Sequence, residues 1–116
     1  MIYLVSPYSH EDESIRLERY EDASHVTAEL MARGQLVFSP IAYSHPLATR
    51  CDLPLGWDYW QKFDKAMLAA CDSLWVLCLD GWMESVGVQA EIELARAANM
   101  HITYTTMSAF IPRRKR

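Results

Sequence analysis

Four short apolar runs, IYLVS (2–6), QLVFSP (35–40), SLWVLCL (73–79) and HITYT (101–105), recur along the 116-residue chain and leave few folds open. Each is too short for a stable helix. The first three are near-continuously apolar rather than alternating, the pattern of a strand covered on both faces, and HITYT reads as a fourth strand. Between the first two lies a helical stretch, residues 10–34, with acids crowding its first turns and Gly34 as a C-terminal stop. Its rough apolar face is Ile15, Tyr20, Ala23, Val26, Leu30 and Met31. Residues 57–72 read as a second helix, with Trp60, Phe63, Met67 and Leu68 on one side. Ser85 is a good N-cap for a third, VGVQAEIELARAANM. The connection IAYSHPLATRCDLPLG (41–56) is expected to be a loop, and a loop this long in a compact domain is usually functional.

This order predicts an α/β fold: a flavodoxin-like (Rossmann-like) three-layer sandwich around a central parallel sheet of four to five strands. Ligands in such sheets bind beyond the carboxyl ends of the strands, near a switch in strand order. Those ends are residues 6–10, Ser39-Pro40 with its loop, residues 80–85, and Thr105 onward.

At this length the chain makes one domain, 1–116, and 51% hydrophobic with 22% charged residues is a globular balance. A net charge of −4 gives no general attraction to a nucleic-acid polymer. The closing PRRKR reads as a solvated terminus, with phosphate contact as the alternative. The opening MIYLVSPYSH has neither the positive segment of a secretion signal nor the length of a membrane span, so no membrane association is expected. Cys51, Cys71 and Cys78 form no CxxC pair, and an odd count argues for free thiols in a reducing, cytoplasmic setting. Cys71 and Cys78 are expected to be buried. The histidines at 10, 25, 45 and 101 lack metal-ligand spacing, and no G-x-G-x-x-G follows the first strand. Neither metal nor dinucleotide cofactor is expected.

The stretch DGWMESVGVQAEIELARA (80–97) holds four acids. Asp80, before Gly81, suits a turn. Glu84 precedes the cap and is expected to be exposed. Val88, Ile92 and Ala95 mark the packed side of the helix, with Glu91 at its edge and Glu93 well away. By position alone an edge glutamate is more often solvated than chemical.

IYLVSPYS at the start, CDSLWVL in the middle and SVGVQAEIELARA after it resemble the nucleoside 2-deoxyribosyltransferase superfamily, and within it the 2′-deoxynucleoside 5′-phosphate N-hydrolases and small bacterial and phage proteins opening Y-L-x-S-P-Y-S-H. The resemblance implies that Glu91 of SVGVQAE is a nucleophile toward the sugar, with Gly87 part of the same motif. It implies that Asp64, eight residues before Asp72, is the acid that assists departure of the base. Tyr3 matches a tyrosine that bonds the nucleophile, and Ser85 a serine that contacts a 5′-phosphate. The pattern departs in two places. Glu93 stands where a glycine is usual, and Ser6-Pro7 replaces Gly-Ser with no arginine following, so Ser9 or His10 is expected to substitute at the phosphate.

The chemistry agrees with these residue types. Cleaving an N-glycosidic bond passes through an oxocarbenium-like state that a carboxylate stabilises, and the same carboxylate can form a glycosyl-enzyme. A phosphate at the Ser85 helix start meets free N–H groups and a positive dipole end. Glu91, beyond that turn, gains little from the dipole, so Tyr3 is expected to hold it ionised and oriented. His45 and Trp82 are candidate substrate contacts. Trp57, Tyr59 and Trp60 can stack on a base or simply pack.

The expected function is therefore an N-glycosidase acting on a (deoxy)nucleoside 5′-monophosphate. The alternatives are a deoxyribosyltransferase or a nucleotide-binding module without turnover. A flavodoxin-like regulator is disfavoured by the lack of a phosphate-binding first loop. The resemblance also implies a homodimer or larger assembly, for which YTTMSAFI (104–111) offers an apolar segment.

Overall fold

A computed structural model describes residues 1–110. Strands β1 (Ile2–Val5), β2 (Val37–Phe38), β3 (Ser73–Leu77) and β4 (His101–Thr105) form one parallel sheet in the order β2-β1-β3-β4. Helices α1 (Glu13–Ala32), α2 (Pro40–Cys51), α3 (Trp57–Ala69) and α4 (Val86–Ala97) flank it, completing a flavodoxin-like three-layer α/β fold.

The period of two along each strand splits the core between the layers. Tyr3, Val5, Leu74 and Val76 pack with Leu68 of α3 and Val88, Ile92 and Ala95 of α4. Ile2, Leu4 and Leu77 pack on the opposite face with Val26 and Leu30 of α1. Burial on both faces is why β1 and β3 lack polar alternation, whereas β4 (HITYT) is more exposed, and each buried aliphatic side chain contributes about 1.5–3 kcal/mol. On α1, Met31 is exposed, and Thr27 takes an inward place by donating its hydroxyl to the Ala23 carbonyl at 2.7 Å.

The expected loop over 41–56 is a helix for most of its length. Ser39 ends the second strand and caps α2, its Oγ accepting from the Ala42 N–H at 3.2 Å. Pro40 then sits in the first turn, where its missing N–H costs nothing. Pro46 removes a bond from the helix centre, but packing on α1 and β1 outweighs that loss. Asp52, left-handed at φ 67°, ends it. Because Ser39 and Pro40 serve the helix, β2 shrinks to two residues.

The segment expected to offer an apolar surface is partly consumed by the fold, with Phe110 buried in the α1-side core. Ile111 and the PRRKR cluster lie outside the described residues. Among the described residues no helix is long and apolar enough to cross a membrane.

β1 and β3 are neighbours whose connections depart to opposite sides of the sheet, β1 toward β2 and β3 toward β4. That is the switch point, and a crevice opens beyond their carboxyl ends. Arg19 of α1 ties its two rims together, donating to the Ser9 carbonyl at 3.0 Å and the Asp80 carbonyl at 2.9 Å.

Candidate active site

The cleft is assembled from the tip of β1 and the starts of three helices. Ser6, Tyr8 and Ser9 follow β1, Pro40, Ile41 and Ser44 come from α2, and Leu55, Gly56, Trp57, Trp60 and Asp64 from the α3 side. Ser85, Gly87, Val88 and Glu91 close it from α4.

Glu91 belongs to the same helical stripe as Val88 and Ile92, so the packing that buries them buries it. The side chain placed at the edge of the packed face is in fact only 3% exposed. Tyr3, reaching across from the central strand, donates its phenol O–H to Glu91 Oε2. Asp64 projects inward one turn before Leu68 and is 7% exposed.

Burial dominates the electrostatics. Desolvation pushes Glu91 up to about 8, opposed by the Tyr3 hydrogen bond and reinforced by Asp64. Desolvation alone pushes Asp64 up to about 7. The Tyr3 phenol is driven far above its ordinary value by burial and by the facing Glu91 and Asp64 charges, so it stays a donor. Tyr3 thus bonds Glu91, and that bond opposes the upward push of desolvation without cancelling it.

At the start of α4, Ser85 Oγ accepts from the Val88 N–H at 3.3 Å, confirming the cap. The first N–H groups of a helix have no intrahelical acceptor, and this turn faces the cleft. Gly87 lies against Trp57, where an added Cβ would meet Cε3 of the indole at 3.4 Å, an ordinary van der Waals contact. Trp60 packs edge-on to Phe63, and its indole N–H donates to the Pro54 carbonyl at 2.7 Å. The remaining free space in the cleft is about 60 Å³.

Of the expected contacts, Tyr3, Asp64, Glu91, Ser9, Ser85 and Gly87 converge on this cleft. Three others do not. His10 is exposed, and its Nδ1 accepts the Asp12 N–H at 2.9 Å, ordering the approach to α1. Trp82 packs against Tyr104 and the α4-side core. His45 lies behind the wall, bonded through Nδ1 to the Tyr8 hydroxyl at 2.5 Å and stacked on Tyr20 at 4.2 Å. It faces a separate cavity of about 690 Å³ between α1 and α2, whose lining includes neither Glu91 nor Asp64. Tyr59 is exposed. Glu84, Glu93 and Asp80 are solvent-facing, with Glu93 paired to Arg96 at 3.0 Å.

Sequence reasoning does not single out Tyr8 or Ser44. Tyr8 has a signal, its place just past a central strand. Ser44 has none while its helix is taken for a loop.

Fold and cleft together define a three-layer α/β protein with a pair of buried carboxyls at its switch point. The chain belongs to the family described as a domain of unknown function (DUF1937), whose model matches residues 1–107. No curated protein matches it.

Proposed function

We propose that the protein is a nucleotide N-glycosidase that releases the base from a (deoxy)nucleoside 5′-monophosphate. The observation that carries this reading is Glu91, buried, oriented by Tyr3 and facing the same cleft as Asp64. A carboxylate is rarely kept out of water on a helix unless its charge has a use. Glu91 bonds to C1′ as the glycosidic C–N bond breaks, and Asp64 delivers its proton to the departing base nitrogen. Asp64, now ionised, takes a proton from water, whose oxygen displaces Glu91 from C1′ and frees the sugar phosphate.

The two buried carboxyls act on each other's charge and titrate as a coupled pair. The productive arrangement leaves the charge on Glu91, and the Tyr3 O–H bond favours that arrangement. The α4 N-terminus and Ser85 receive the phosphate. In the transferase version a second base replaces water. The same reading carries a homo-oligomer in a cytoplasmic setting.

The test is chromatography for free base after incubation with a panel of nucleosides and 5′-monophosphates. Release is expected from the monophosphates, with Glu91→Gln and Asp64→Asn each lowering kcat by at least about 100-fold while ligand binding persists. Unchanged release by Glu91→Gln overturns the site. Nucleotide binding without release by the unsubstituted protein replaces the enzyme with a binding module.

A further inference from the structure

Among the described residues, two buried side-chain polar atoms lack a hydrogen-bond partner: Ser6 Oγ and Asp64 Oδ1. Both residues line the same cleft. Two other buried hydroxyls have conventional partners. Thr27 donates to a carbonyl of its own helix, and Ser39 accepts from an amide at a helix start. Buried polar groups are almost always satisfied, so two orphans meeting in one crevice call for a common explanation.

Ser6 is also held rigidly. It directly follows β1, the strand that pairs on both sides, and the Pro7 ring after it is fully buried. A residue before proline is confined to extended backbone, so Ser6 cannot swing its hydroxyl toward another partner by turning the chain. The side chain is 4% exposed. Alanine fills such a position without the cost of an orphan.

We propose that Ser6 is a specificity residue of the cleft, its hydroxyl held for a polar atom of the nucleoside portion of the bound nucleotide. This rests on the glycosidase reading. The phosphate has the α4 N-terminus and C1′ has Glu91, which leaves the base edge and the sugar hydroxyls as polar groups for Ser6. A hydroxyl both donates and accepts, so it pairs with a ring nitrogen, a carbonyl or a sugar O–H.

The experiment compares Ser6→Ala with the unsubstituted protein in thermal melting and in base release. The release panel pairs ribo- with 2′-deoxyribonucleoside monophosphates, and purines with deazapurines lacking one ring nitrogen. Without ligand, the variant is expected to melt at the same temperature or higher. Its kcat/KM is expected to fall roughly ten-fold on the best substrate, the scale of one neutral hydrogen bond. That penalty vanishes on the analogue missing the recognised atom, which separates a sugar contact from a base contact.

A lowered melting temperature with unchanged kcat/KM assigns Ser6 a structural role and overturns the proposal. So does a penalty equal across the panel. If the unsubstituted protein releases no base from any member, the glycosidase reading fails first and takes the Ser6 assignment with it. Release by the unsubstituted protein and by Ser6→Ala at equal kcat/KM removes the Ser6 assignment alone.

Discussion

Glu91 and Asp64 tie stability to pH as well as serving the cleft. Both carboxyls lie above their ordinary values of 4.5 and 3.8 because burial disfavours the charged form. The unfolded chain therefore releases these protons at lower pH than the folded one does. The stability they contribute is fully present below about pH 4 and is lost as pH rises through about 7 and 8, where the folded forms ionise. Glu91→Gln and Asp64→Asn remove that loss. Each is expected to melt above the unsubstituted protein at pH 9, with the difference closing toward pH 5. Thermal scans across this range check it, and a difference that widens toward acid would contradict the assignment. The burial of Glu91 was legible only in part. Its helical position put it at the edge of the packed stripe, and the step from edge to interior depends on how closely α4 sits against β1 and β3.

Among the elements, α4 was the easiest to foresee and α2 the hardest. Ser85 before a run with Val88, Ile92 and Ala95 inward is a local pattern, and the helix starts where that pattern says. In α2 the local signals conflict. The His45-Pro46 step argues for a break, and only contacts with α1 and β1 decide for a helix. Missing α2 also hid Ser44. The cap of α4 closes the helix, and in the proposed function it would also receive the phosphate, two duties that can be separated. Ser85→Ala loses the bond to the Val88 N–H and is expected to cost about 1 kcal/mol, lowering the melting temperature by roughly 4 °C. Ser85→Asp keeps a capping oxygen, and its charge suits the helix dipole. It is expected to melt near the unsubstituted protein yet bind 5′-monophosphates at least about ten-fold more weakly, by like-charge repulsion. Calorimetry and equilibrium binding distinguish the two, and equal monophosphate affinity in Ser85→Asp would move the phosphate elsewhere.

At the scale of the molecule, the parallel sheet and its layering followed from strand-like runs interleaved with helices, because parallel strands must be linked by crossovers over a face, while the order β2-β1-β3-β4 did not. His101–Thr105 is the expected strand residue for residue. The arrangement of the crevice walls was not legible. Which of Ser9, His10, His45 and Trp82 faces the cleft depends on side-chain directions set by remote packing, such as the stacking of Tyr20 on His45. The cleft has a kinetic consequence. A free space of about 60 Å³ is far below the roughly 300 Å³ of an ordinary ligand pocket, so a nucleotide of the proposed kind would enter only once the cleft walls part. Arrival is then paced by the protein rather than by diffusion. The observed association rate is expected to climb with ligand concentration and level off at the frequency with which the walls part. Stopped-flow tryptophan fluorescence reads this directly, and a rate still linear at saturating nucleotide would mean the doorway stands open. Walls that must part for entry would also slow departure, giving a nucleotide of the proposed kind a residence time set by the cleft as much as by its contacts.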